Sequence, residues 1–208
     1  NPVRTKQDIE AIRVINPEED VPYLLDAIKM VKGELNGKVP LIGFSGAPFT
    51  LASYIIEGEG SRNYVHTKKL MYGDPGAWKA LMEKISDVVI VYLNAQIDAG
   101  VQAVQLFDSW VGCLGPDDYR EYALPYTKKV ISSIKKTVPA INFSTNTGAY
   151  LNIVREAGGD VIGVAERLDE LAGVLSRRVL ASAGRQVGAY LAGLGPPAAA
   201  EAAASRRF

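Results

Sequence analysis

Asp108 and Ser109 close a predicted strand, Val101 to Phe107, placing a carboxylate and a hydroxyl together at its end. Groups at that end of a strand project into the mouth of a parallel α/β fold, where ligands collect. The alternative is that Asp108 N-caps or braces the loop that follows, and the pattern leaves both readings open. Trp110 comes next, either as a wall of the same pocket or packed beneath it. A second polar cluster, Ser144-Thr145-Asn146-Thr147-Gly148, ends another apolar run, and loop solvation explains its hydroxyls as readily as ligand binding does. Tyr54, three residues after Leu51, either carries a phenol into the space its loop lines or caps the core with its hydroxyl in water.

Other chemistries are excluded or weakened by residue counts. His66 is the single histidine, so reactions needing a histidine pair are ruled out. A serine triad would require His66 as base, yet the turn at Ser45 reads Gly-Phe-Ser-Gly rather than the nucleophile-elbow pattern. Cys113, the single cysteine, excludes an internal disulfide and fits a reducing compartment. With His66 it offers too few ligands for a structural zinc site and a poor donor set for a catalytic one. Gly58-Glu59-Gly60-Ser61-Arg62-Asn63 is a turn that could cradle an anion but lacks Walker spacing. Twenty-three basic residues balance 23 acidic ones, so no global field favours nucleic acid or a membrane surface. No run of about 18 apolar residues occurs, and no secretory pattern opens the sequence, which makes the cytoplasm the default compartment.

The elements that must position these groups alternate. Val39, Leu41, Ile42 and Phe44 form a run too apolar to face water on either side, as expected of a parallel strand covered by helices. Gly43 and Gly46 suit a turn, Pro48 suits the first turn of a helix, and a helix over Phe49 to Glu57 follows. Upstream, Asn16-Pro17-Glu18-Glu19 starts a helix that runs to Gly37. Asp74-Pro75 starts a longer, mostly buried one that stops at Gly100, and Tyr64 to Tyr72 is a short amphipathic piece between them. Strand, helix from Pro116, strand from Ala140, helix from Tyr150 and strand from Asp160 complete four alternations, the pattern of right-handed βαβ units on a parallel sheet. At 208 residues the chain holds one sizeable core but falls short of the roughly 250 residues of a complete (β/α)8 barrel.

LIGFSGAPFTLASYIIEG, QLFDSWVGCLGPDDYREYALPY and INFSTNTGAYLNIVREAGGDVIGV, in that order, resemble the middle of uroporphyrinogen decarboxylase, over about residues 1–164. The resemblance implies a parallel (β/α)8 barrel, here incomplete, and a homodimer with facing clefts. It implies cofactor-free removal of four acetate carboxylates from uroporphyrinogen to give coproporphyrinogen in haem biosynthesis. Carried over residue by residue, it makes Tyr54 and Ser109 substrate contacts and Phe44 an aromatic group beside the macrocycle.

The departures are specific. The family's N-terminal arginine motif and the aspartate that hydrogen-bonds the pyrrole N–H groups lie upstream of where this sequence begins. After Gly163-Val164 the family continues Asp-Trp-Arg, whereas here Ala165-Glu166-Arg167 opens a tail (165–208) rich in alanine and arginine. The tail reads as a helix over Glu166 to Ala183 and then a frayed end, the pattern of a frameshifted or truncated frame. With no proton donor or counter-charge among the matched residues, this chain alone is expected to have little or no decarboxylase activity. Two alternatives are a corrinoid-linked methyltransferase on the same barrel, which would need zinc ligands beyond His66 and Cys113, and a porphyrin-binding remnant without chemistry.

Overall fold

A computed structural model describes residues 2–58 and 60–165. The expected helix over Glu166 to Ala183 and the end beyond it lie outside the described residues.

Four strands, β1 (Ile42–Gly46), β2 (Ala103–Asp108), β3 (Ala140–Thr145) and β4 (Val161–Ala165), pair in parallel in the order of the sequence. Between them run α4 (Pro48–Glu57), α5 (Val65–Gly73), α6 (Pro75–Ala99), α7 (Pro116–Tyr122), α8 (Leu124–Ser133) and α9 (Leu151–Glu156). Before β1 come α1 (Lys6–Ala11), α2 (Pro17–Asp20) and α3 (Pro22–Leu35). Sequential parallel strands joined through helices are the wall of a (β/α) barrel. None of the described helices is long and apolar enough to cross a membrane.

Two of the expected helices are each divided in two. Val21 leaves helical geometry (φ −138°, ψ 42°) ahead of Pro22, and Ala123 does so (φ −122°, ψ −49°) just before Leu124-Pro125. Pro22 disfavours the helical region for Val21 directly before it, and Pro125 supplies no N–H to the last turn of the helix that ends at Tyr122. Apolar periodicity continues across both breaks, which is why spacing alone reads through them. α6 is unbroken: the Asp74 carboxylate accepts from Ala77 N–H at 3.0 Å to start it, and Gly100 ends it in the left-handed region. Its buried stripe of Trp78, Leu81, Met82, Val89 and Leu93 is the centre of the core.

Among the described residues the sheet is covered on one face only, against expectation. The register aligns Val104 with Ala140 and Leu106 with Asn142, and these side chains are buried under the helices. The opposite face carries Ile42, Phe44, Phe107 and Phe143, and Phe44 is 61% exposed. Phe107 meets Phe44 edge-on at 5.8 Å and Phe143 at 5.3 Å, a row of rings across three strands. In a barrel that face turns inward, so its apolar character anticipates cover that the described residues do not supply.

Gly43 has a different use from the one its sequence suggested. It lies inside β1 rather than at a turn, and a Cβ there would sit 2.7 Å from Gln96 Oε1. The bare backbone admits the buried Gln96 amide, which accepts from Phe44 N–H and donates to Phe44 C=O, both at 3.0 Å. Phe44 offers both groups on the side of β1 away from β2, so a side chain of α6 satisfies the edge of the sheet. Replacing Gln96 with leucine leaves both groups unpaired, and urea unfolding is expected to show a loss of about 2 kcal/mol. A midpoint unchanged from wild type would show that the amide contributes nothing.

Candidate active site

At the C-terminal ends of β1 and β2, Tyr54 of α4 lies on Trp110 with ring centroids 3.7 Å apart and planes 33° from parallel. Tyr64 also meets the indole, at 5.5 Å and edge-on. Its backbone is left-handed (φ 52°), a strained setting for a non-glycine, and its N–H is held by Ser61 Oγ at 3.0 Å. The three rings form a shelf, and Tyr54, 47% exposed, offers its phenol to solvent.

Ser109 precedes Trp110 directly and is exposed. Its carbonyl accepts from the Thr145 hydroxyl of β3. Ser61, Arg62, Tyr64, Ser109, Trp110, Gly112, Cys113 and Asn146 line an open cavity of about 650 Å³ beside the shelf. Phe44 lies on the uncovered sheet face and reaches this region only through Phe107, two residues before Ser109. Tyr54 and Ser109 are thus brought together through Trp110, while Phe44 belongs to the adjoining row of phenylalanines.

Asp108 does not project into the mouth. The two-residue alternation of β2 puts it on the same face as Val104 and Leu106, under the helices, at 1% exposure. There Oδ1 accepts from Thr50 Oγ1 at 2.7 Å, and Oδ2 has no hydrogen-bond partner among the described residues. Burial pushes its pKa up to about 7, although the bonds from Thr50 pull the other way. The bracing reading is the one the geometry supports. Burial also raises the Cys113 thiol to about 11 and the Tyr64 phenol to about 12, so both remain protonated at neutral pH.

Of the second polar cluster, Ser144 and Thr147 are buried and share a 2.6 Å hydrogen bond, which is loop structure rather than a ligand surface. Asn146, left-handed at φ 57°, reaches the cavity. His66 is exposed on α5, and among the described residues no three histidine, cysteine, aspartate or glutamate side chains gather as a metal centre. Thr50 went unremarked in the sequence, yet it stands one turn before Tyr54. That i, i+4 spacing turns both toward the end of β2 and was a usable signal.

The uroporphyrinogen decarboxylase (URO-D) family model matches residues 1–187. A uroporphyrinogen decarboxylase from Carboxydothermus hydrogenoformans is 60% identical over 169 residues, 81% of this chain and 48% of the relative. One from Sorangium cellulosum is 57% identical over 164 residues, 78% of this chain and 47% of the relative. The chain spans about half the length of these curated relatives. A methyltransferase from Methanosarcina mazei has the same fold, with a TM-score of 0.67 at 20% identity over 83% of this chain and 50% of that one. The parallel sheet is therefore of (β/α)8-barrel type, and the chain, matched over most of its 208 residues, belongs to the uroporphyrinogen decarboxylase family.

Proposed function

We propose that this chain serves the decarboxylation of uroporphyrinogen acetate side chains to give coproporphyrinogen, in the cytoplasm and as a homodimer. In this reading Tyr54, Ser109 and Phe44 touch the tetrapyrrole. The observation that carries it is the stacking of Tyr54 on Trp110 directly beside Ser109, at the strand ends where barrel enzymes bind substrate. A rigid aromatic shelf suits a broad, largely apolar macrocycle. The Tyr54 and Ser109 hydroxyls can donate to carboxylate side chains, and Arg62 on the same cavity adds a positive charge for them. The row of Phe44 and Phe107 continues the apolar surface across the sheet.

The reaction requires a protonated pyrrole carbon and a carboxylate to balance the charge that develops as carbon dioxide leaves. Asp108, the one buried carboxylate among the described residues, is not among the groups lining the cavity. The residues of this site therefore bind and orient the substrate, and the counter-charge is not among them.

Titration with uroporphyrin, followed at the Soret band, tests the binding step. Saturable binding is expected, weakened about tenfold by Tyr54→Ala, in keeping with roughly 1.4 kcal/mol for a lost ring contact. Tyr54→Phe and Ser109→Ala separate the hydroxyl contributions, and an anaerobic decarboxylation assay separates binding from turnover. Absence of saturable binding, or equal affinity in all three variants, refutes the assignment.

A further inference from the structure

Beneath the shelf runs a short polar relay that the proposed binding step does not use. The Thr50 hydroxyl has one hydrogen, and it is given to Asp108 Oδ1 at 2.7 Å. Its lone pairs are thereby turned to the Trp110 N–H, which donates to Thr50 Oγ1 at 3.2 Å. Both relay side chains are buried, Thr50 at 4% and Asp108 at 1% exposure, so water does not compete for either bond. A buried acid with one oxygen unpartnered costs stability that an apolar residue in its place would not. What the acid supplies is a fixed acceptor, without which the Thr50 hydroxyl is free to rotate. Ser109, between Asp108 and Trp110, is held from the other side by the Thr145 bond to its carbonyl.

We propose that Asp108 and Thr50 are positioning residues for the porphyrinogen site: their relay from β2 through α4 fixes the Trp110 backbone, and with it the indole under Tyr54 and the direction of Ser109. This rests on the binding reading for its purpose, but the relay is measurable without any porphyrin. Neither residue touches the substrate. Both act through the main chain of Trp110.

The chain has two tryptophans, Trp78 and Trp110, so labelling with 5-fluorotryptophan gives two fluorine resonances, assigned by Trp110→Phe. Trp78, buried in the core at 1% exposure, reports on the fold as a whole. Thr50→Val, which keeps shape and removes the hydroxyl, is expected to shift or broaden the Trp110 resonance by more than its linewidth while Trp78 stays in place. Uroporphyrin affinity is expected to fall about tenfold in the same variant. Thr50→Ser is expected to restore both, Asp108→Asn to retain the Trp110 position because it keeps the acceptor, and Asp108→Ala to behave as Thr50→Val. A Trp110 resonance unmoved in Thr50→Val, or moved equally in Thr50→Ser, overturns the proposal, and the near-isosteric Thr50→Val decides if Asp108→Ala fails to fold. Failure of the wild-type chain to bind uroporphyrin, with the resonances moving as described, instead refutes the binding reading and leaves the relay intact.

Discussion

Gly112→Ala is expected to lower stability by about 3 kcal/mol, at the upper end of what overpacking costs, and to weaken uroporphyrin binding with it. Gly112 lies in the short 3-10 turn Val111–Cys113 that follows Trp110. A Cβ there would stand 2.3 Å from the carbonyl oxygen of Thr145 and 2.6 Å from Cβ of Asn146. Neither neighbour can swing aside as the tip of a long side chain could, because one is backbone and the other is fixed to it. The end of β3 must move instead, and it carries the Thr145 bond to the Ser109 carbonyl and the 2.9 Å bond from Asn146 N–H to Ala165 C=O. Stability and site geometry are thus lost through one displacement. Gly76→Ala is the contrasting control: it lies in the first turn of α6, where an added Cβ makes only an ordinary 3.5 Å contact with Asp74. It is expected to stabilise by about 0.5–1 kcal/mol, because alanine loses less backbone freedom on folding. Denaturant unfolding of both variants checks the pair, and a loss below about 1 kcal/mol in Gly112→Ala would show that the turn yields.

The difference between those two glycines marks how far sequence could be followed. Strand and helix alternation was legible because Pro75, Pro116 and Gly100 punctuate periodic segments, and the ends of α6 fall where Asp74 and Gly100 put them. What was not legible depends on partners distant in sequence. Gly43 reads as a turn residue until Gln96, 53 positions on, is seen to need its bare backbone. The six-residue α1 carries too few turns for a period to show, although Thr5 and Asp8 close a capping box around its start. Apolar residues on both faces of β1 promised two covered faces, and one is open among the described residues.

The candidate site divides the same way. Tyr54 and Ser109 are singled out only by the resemblance of their motifs, and the structure adds the Trp110 ring against Tyr54. The orientation of Asp108 was hidden because Gln102 and Gln105 fall on opposite faces of a strand over Val101 to Phe107, which masks the parity that counting back from Asp108 to Leu106 and Val104 would reveal. Parity decides the chemistry: one residue further along, the same carboxylate would face the cavity rather than Thr50. Trp110 gains its contacts from three elements meeting, since α4 supplies Tyr54, the turn before α5 supplies Tyr64, and the end of β2 delivers the indole to both.

Asp108 should also make the stability of the chain fall between pH 4 and pH 7, opposite to the usual behaviour of a carboxylate. Its pKa in the folded chain is raised from 3.8 to about 7, chiefly by burial, so the folded state holds a proton that the unfolded chain has released. Stability from this group is complete below about pH 4 and is lost as pH rises through 7. At about 1.4 kcal/mol per pH unit, the loss across that window is at most about 4 kcal/mol. Asp8, Asp20 and Asp74 move the other way, lowered chiefly by hydrogen bonds from Thr5, Arg13 and the Ala77 N–H respectively. Their contribution is present above their ordinary pKa and lost only as pH falls below about 4, outside the window. Among the described residues the titratable groups that Asp108 faces are Tyr119 of α7 and Cys113 of the 3-10 turn, both raised well above 7 by burial and therefore neutral throughout it. Urea unfolding at pH 5 and pH 8 is expected to show the wild-type chain markedly less stable at the higher pH, and Asp108→Asn, which cannot ionise, to remove most of the difference. Equal pH dependence in the two proteins would mean that the carboxyl is already ionised at pH 5 despite its burial, and that its partnerless oxygen is solvated.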